Sequence, residues 1–149
     1  MDDDTFDRRV RLSIFDHAAA TGSVPTAEAI ASTLGASLDA IDASLQRLAA
    51  GRVIVLAPGT TNIWMANPFS AVPTDFRVEA QGRTYFGNCI WDGLGVPAIL
   101  NVDGTLHTHC PDCGEPLSLT VRDRRLGDTP GVIHFGVPAA HWWDNIGFT

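Results

Sequence analysis

Apolar positions recur every four residues over the first part of the chain, at Phe6, Val10, Ile14 and Ala18 of "TFDRRVRLSIFDHAAATG", and Gly22 stops the pattern. That period predicts one amphipathic helix with a glycine end. In "VPTAEAIASTLG", Ala27, Ile30, Ala31 and Leu34 fall on one helical face. In "SLDAIDASLQRLAAG", Leu38, Ile41, Leu45 and Leu48 do the same, with Ser37 as N-cap and Gly51 as the stop. The short joint at Gly35 makes these two a helix-turn-helix. The runs "RVIVLAP" and "TNIWMA" then read as a β-hairpin turned at Pro58 and Gly59. Three helices plus a β-hairpin over residues 1–66 is the element order of a winged helix.

The texture changes at Asn67. Pro68 and Pro73 mark a linker, followed by strand-like runs at Phe76/Val78 and around Thr84 to Phe86. The apolar stretch "GNCIWDGLGVPAIL" has room for one helical turn over Cys89 to Leu94. Beyond it, "PAILNVDGTLHTHCPDCGEPLSLTVRD" predicts two strands around Asp103-Gly104 and a third after a tight turn at Pro111 to Gly114. "GVIHFGVPAAHWWDNIGFT" predicts one more strand, a turn and an aromatic stretch. The expected fold class is therefore α+β: a winged-helix-like part, 1–66, and a small β-rich part, 67–149.

Charge narrows the function. The net charge is −7, lysine is absent, and ten arginines supply every permanent cation. Residues 1–66 carry eight acids against five arginines, and the helix at 38–50, the candidate recognition helix, sets Asp39 and Asp42 against Arg47 alone. Phosphate neutralisation dominates DNA affinity, so this composition disfavours nucleic acid as a partner. No apolar run reaches the ~20 residues that cross a bilayer, and "MDDDTFDRRV" has no signal-peptide core, so a cytoplasmic protein without membrane contact is expected. Three cysteines do not make a disulfide framework.

The cysteines carry the candidate chemistry. At helical spacing Cys89 and Asp92, i and i+3, share a face. A carboxylate does not activate a thiol by charge; it raises the thiol pKa. What it can do is accept the thiol proton when a soft cation binds the sulfur and then return it to a leaving group. The alternative is a small buried thiol beside a turn-capping acid. "HCPDCG" resembles one knuckle of a zinc ribbon but has no second pair. His107 and His109 could complete a set with Cys110 and Cys113 only in a crowded geometry, and a plain tight turn is the simpler reading. A redox Cys-x-x-Cys lacks its βαβ setting. Trp91, Trp142 and Trp143 read as core or pocket wall, and Arg124 and Arg125 as a solvated hairpin tip.

"CIWD" at 89–92, followed by "GLGVPAIL" and by "HTHCPDCGEPLSLTV" at 107–121, resembles the organomercurial (alkylmercury) lyases over residues ~67 to 149. The resemblance implies that Cys89 is a mercury-binding thiolate, Asp92 the proton carrier and Cys110 structural. It implies the reaction R–Hg⁺ plus H⁺ giving R–H plus Hg(II), with a small organomercurial as substrate, no resident cofactor, and cellular or external thiol as co-reactant. Those enzymes use a second essential cysteine after the region matching "HWWDNIGFT", whereas this sequence has none after Cys113. The expectation is a chain cut short before it; the alternatives are a substituting thiol, for which Cys113, which the family pattern usually lacks, is the candidate, or a non-catalytic relative. The competing expectation is a non-catalytic winged-helix sensor holding a thiophilic ion through Cys89, Cys110 and Cys113.

Overall fold

The computed structural model describes residues 2–129 and 131–148. Met1, Pro130 and Thr149 lie outside them. Helix α1 (Asp3–Thr21) starts where the Asp2 carboxylate accepts the Thr5 amide at 2.8 Å and ends at Gly22 in the left-handed conformation. Helix α2 (Ala27–Leu34) is capped by Thr26 and stopped by Gly35, and α3 (Leu38–Ala50) is capped by Ser37. These caps satisfy amides that an isolated helix end leaves without partners. Val10, Ile14, Ile30, Ile41 and Leu45 are fully buried where the three helices meet. Polar groups join the same helices. Asp7 accepts hydrogen bonds from Ser44 Oγ (2.6 Å), Arg47 Nε (2.8 Å) and Arg47 Nη2 (2.7 Å).

The expected hairpin is present, with a shorter first strand. Arg52 N donates to Ala49 O and Val53 N to Leu48 O, so the chain still wraps onto the end of α3. Only Val55–Leu56 is left as β1, pairing antiparallel with β2 (Ile63–Ala66). A cis Asn67–Pro68 bond then turns the chain into β3 (Phe69–Ser70), which pairs with β2 in a three-stranded sheet.

The larger sheet has the order β5-β4-β6-β7-β8, antiparallel throughout. Its strands are β4 (Arg77–Ala80), β5 (Arg83–Phe86), β6 (Gly104–His109), β7 (Pro116–Arg122) and β8 (Arg125–Leu126). Helix α4 (Ile90–Leu100) packs on one face, burying Val96 with Val78, Tyr85, Leu106 and Leu119. Arg124 and Arg125 are exposed beside the tight turn at Asp123 and Arg124, both at positive φ.

Two elements differ from expectation. Pro97–Leu100, read as strand, continues α4 to a left-handed cap at Asn101. A continuous apolar run does not distinguish a buried strand from a buried helix. Packing of Val96 and Pro97 on the sheet decides it, although Pro97 brings no N–H to the helical ladder. The strand expected in "GVIHFGV" is absent among the described residues. Val132 there stands 92% exposed, with no sheet face to cover it, and the chain forms only a 3₁₀ turn at Ala139–Asp144.

Candidate active site

The site is assembled where β5 hands over to α4. Gly87 forms a bridge to Phe69, donates its amide to Phe76 O at 2.9 Å and accepts Thr74 Oγ1 at 2.5 Å. A Cβ on Gly87 would stand 2.5 Å from the Gly93 nitrogen and 2.8 Å from its Cα. One on Gly93 would stand 2.8 Å from Leu106 Cδ1. Gly87 meets backbone and Gly93 a leucine side chain, and the two glycines together let the first turn of α4 lie this close to the sheet.

Cys89 is the N-cap of α4, in extended conformation, and its carbonyl accepts the Gly93 amide at 2.9 Å. Serine, threonine, asparagine or aspartate would cap better, and the Cys89 side chain closes no cap hydrogen bond. Asp92 occupies the first turn, so the thiol and the carboxyl share one end of the helix, as the spacing predicts. Both are partly buried. Burial pushes the Cys89 thiol above its ordinary pKa and the Asp92 charge adds to this, while the Asp92 and Trp91 amides pull the other way. The thiol therefore keeps its proton at neutral pH. Burial likewise raises the Asp92 carboxyl, opposed by hydrogen bonding from the Asn88 side chain and backbone.

Asn88 escaped the sequence reading. Its Nδ2 donates to Asn67 Oδ1 at 2.8 Å and faces Phe69 O at 3.4 Å, tying the turn before α4 to the β2–β3 connection. The only sequence signal for this support is the glycine bracketing in "GNCIWDG". On the outer side of the turn, Trp91 meets Phe135 edge-on at 6.4 Å, and Phe135 lies 5.3 Å from Trp142. Trp91 is 61% exposed, so it flanks the site and does not belong to the core. The Arg52 guanidinium lies over the Trp143 ring at 5.6 Å.

The other thiols sit in the β6–β7 turn. Cys110 N donates to Glu115 O and Gly114 N to Cys110 O, both at 2.8 Å. The Cys113 and Asp112 amides and the Cys113 thiol hold the Cys110 thiol below its usual range. His107 faces Ser118 Oγ at 3.2 Å and Glu79 Oε2 at 3.4 Å, and His109 is exposed at the strand end. The Cys₂His₂ set is not assembled: among the described residues no three His, Cys, Asp or Glu side chains gather as metal ligands.

A sequence model of the alkylmercury lyase family matches residues 69–149, which include Cys89, Asp92, Cys110 and Cys113. No curated protein sequence matches the chain. Among solved structures, the chain is similar to a mercury-bound form of MerB2, with 25% sequence identity and a TM-score of 0.60. The alignment covers 79% of this chain and 58% of that one, so this chain spans somewhat over half of its length.

Proposed function

Because the chain belongs to the alkylmercury lyase family, whose model matches more than half of it, we propose that it cleaves carbon–mercury bonds by protonolysis with Cys89 and Asp92. The observation that carries this reading is the placement of Cys89 at the N-cap and Asp92 in the first turn of α4, both partly buried. The substrate is a small organomercurial R–Hg⁺. As mercury meets the sulfur, the S–H proton passes to the Asp92 carboxylate and an S–Hg bond forms. Asp92 then delivers that proton to carbon. The C–Hg bond breaks to give R–H, and Hg(II) is left on Cys89. A carboxyl whose pKa is raised by burial takes and gives a proton more readily near neutrality than an exposed one. A second thiolate adds electron density to mercury and loosens the C–Hg bond. In this proposal an external thiol supplies it and also accepts the metal. No resident cofactor takes part.

Residues 1–66, which we read as a winged helix, have a structural role in this proposal. Arg47 is the one cation on α3, and it is turned onto Asp7 at 2.7 Å, leaving that helix with no basic side chain for a phosphate. No helix of the described residues is long and apolar enough to cross a membrane.

The test is hydrocarbon release from methylmercury at rising concentrations of a small thiol, with intact-mass analysis of the adduct. Cys89→Ser should abolish the adduct, because a hydroxyl is a hard ligand. Asp92→Asn should keep the adduct and slow release by roughly 10²–10⁴, the contribution of a positioned general acid. Release by Asp92→Asn at the unsubstituted rate would remove Asp92 from the mechanism. No release at any thiol concentration would reject the lyase, and metal-dependent DNA binding in its place would favour the sensor.

A further inference from the structure

We propose that Cys110 and Cys113 form a second soft-metal site, a two-coordinate dithiolate that holds Hg(II) independently of Cys89 and Asp92. The β6–β7 turn is built as a knuckle. The bonds Cys110 N to Glu115 O and Gly114 N to Cys110 O close it, and Gly114 takes φ 72°, which a Cβ disfavours. The closure sets the side chains at i and i+3 on one tight turn, within reach of a single ion. Cys113 is exposed to an incoming ion.

The ligand count selects the metal. Zinc in a structural site takes four donors. Among the described residues no third His, Cys, Asp or Glu joins the pair, and His107 on β6 is turned to Ser118 and Glu79. Soft thiolates prefer soft cations, and Hg(II) is satisfied by two sulfurs in a line. Binding forms two S–Hg bonds and sends both thiol protons to solvent.

Strand register adds a use for the site. Phe86 pairs with Arg77 and Arg77 with His107. Strands β5 and β6 thus run in the same direction and leave the sheet at one end, with Cys89 three residues past Phe86 and Cys110 three past His107. The dithiol stands at the end of the sheet where the proposed reaction leaves Hg(II). That use rests on the lyase reading, whereas metal binding itself does not.

The experiment therefore uses the full chain carrying Cys89→Ser, titrated with HgCl₂ in excess small monothiol and read by native mass spectrometry and proton release. One Hg(II) per chain is expected, with an adduct mass showing two hydrogens lost. Adding Cys113→Ser, at an exposed position that should not disturb folding, is expected to weaken retention by roughly 10²–10⁴ through loss of the chelate. Cys110→Ser should match it. The proposal is overturned if the Cys89→Ser chain retains no mercury, if the adduct joins two chains, or if Cys89→Ser abolishes retention while Cys110→Ser spares it. The last result would mean that Cys113 pairs with Cys89. Failure of methylmercury cleavage would overturn the lyase reading alone, with mercury retention by Cys89→Ser intact.

Discussion

Asp92 is held against its own charge, and that has a consequence for stability as well as for chemistry. Its carboxyl is raised by burial above the ordinary value of 3.8, so the folded chain binds this proton more tightly than the unfolded one. Stability then falls as pH rises from 3.8 through the folded value, and stays lower above it. Asp92→Asn should consequently raise the thermal midpoint at neutral pH, by roughly 2–4 °C for each ~1 kcal/mol released, and leave it unchanged below about pH 3. A lower midpoint at neutral pH would contradict the burial argument. Asn88 opposes the shift, so Asn88→Ala should move the Asp92 titration further upward, as followed by carboxyl ¹³C NMR; a downward move would remove Asn88 as its partner. Asp7 behaves in the opposite sense. Its hydrogen bond from Arg47 lowers its pKa, and the stability that follows is lost as pH falls through the depressed value.

Helix α4 depends on two close approaches of different kinds. Gly93 faces the methyl groups of Leu106, which can rotate or be shortened, whereas Gly87 faces the backbone of Gly93. Gly93→Ala should cost about 1–3 kcal/mol by overpacking, and Leu106→Val should recover part of it in a double-mutant cycle. Gly87→Ala should cost as much or more and gain nothing from Leu106→Val. Denaturant midpoints of the four chains check this, and equal rescue of both glycine variants would refute the backbone assignment. The helix also shows where pattern reading runs out. Cys89 and Asp92 were legible at i and i+3 because helical spacing is local. The full extent of α4 was not, because an apolar run carries no period and only the sheet beneath it selects helix. The short strand β3 was missed for the same reason: Phe69–Ser70 is a strand by virtue of its partner β2, with which it shares no local signal.

The helical and sheet parts of the chain are joined through α1. Val10 and Ile14 lie in one core and Ala18 in the other, and Phe15 and Val24 pack against both. Tyr85 is fully buried and its hydroxyl donates to Ala19 O at 2.9 Å, linking β5 to the end of α1. Tyr85→Phe should cost about 0.5–1.5 kcal/mol, the net worth of such a bond, and unfolding should stay a single transition, with tryptophan fluorescence and far-UV circular dichroism coincident. Two separated transitions would show that the shared core does not couple the parts. By itself the sequence determined the three N-terminal helices with their glycine ends and the Ser37 cap, the hairpin after them, the α+β class and the place of Cys89 and Asp92 at one helix end, because period, capping and turn chemistry act over a few residues. Only the tertiary structure decided the strand order, the Gly87–Gly93 contact and the link from Asn88 to Asn67. It also decided the shifted acidity of Cys89 and Asp92, because burial and pairing depend on residues far apart in the chain.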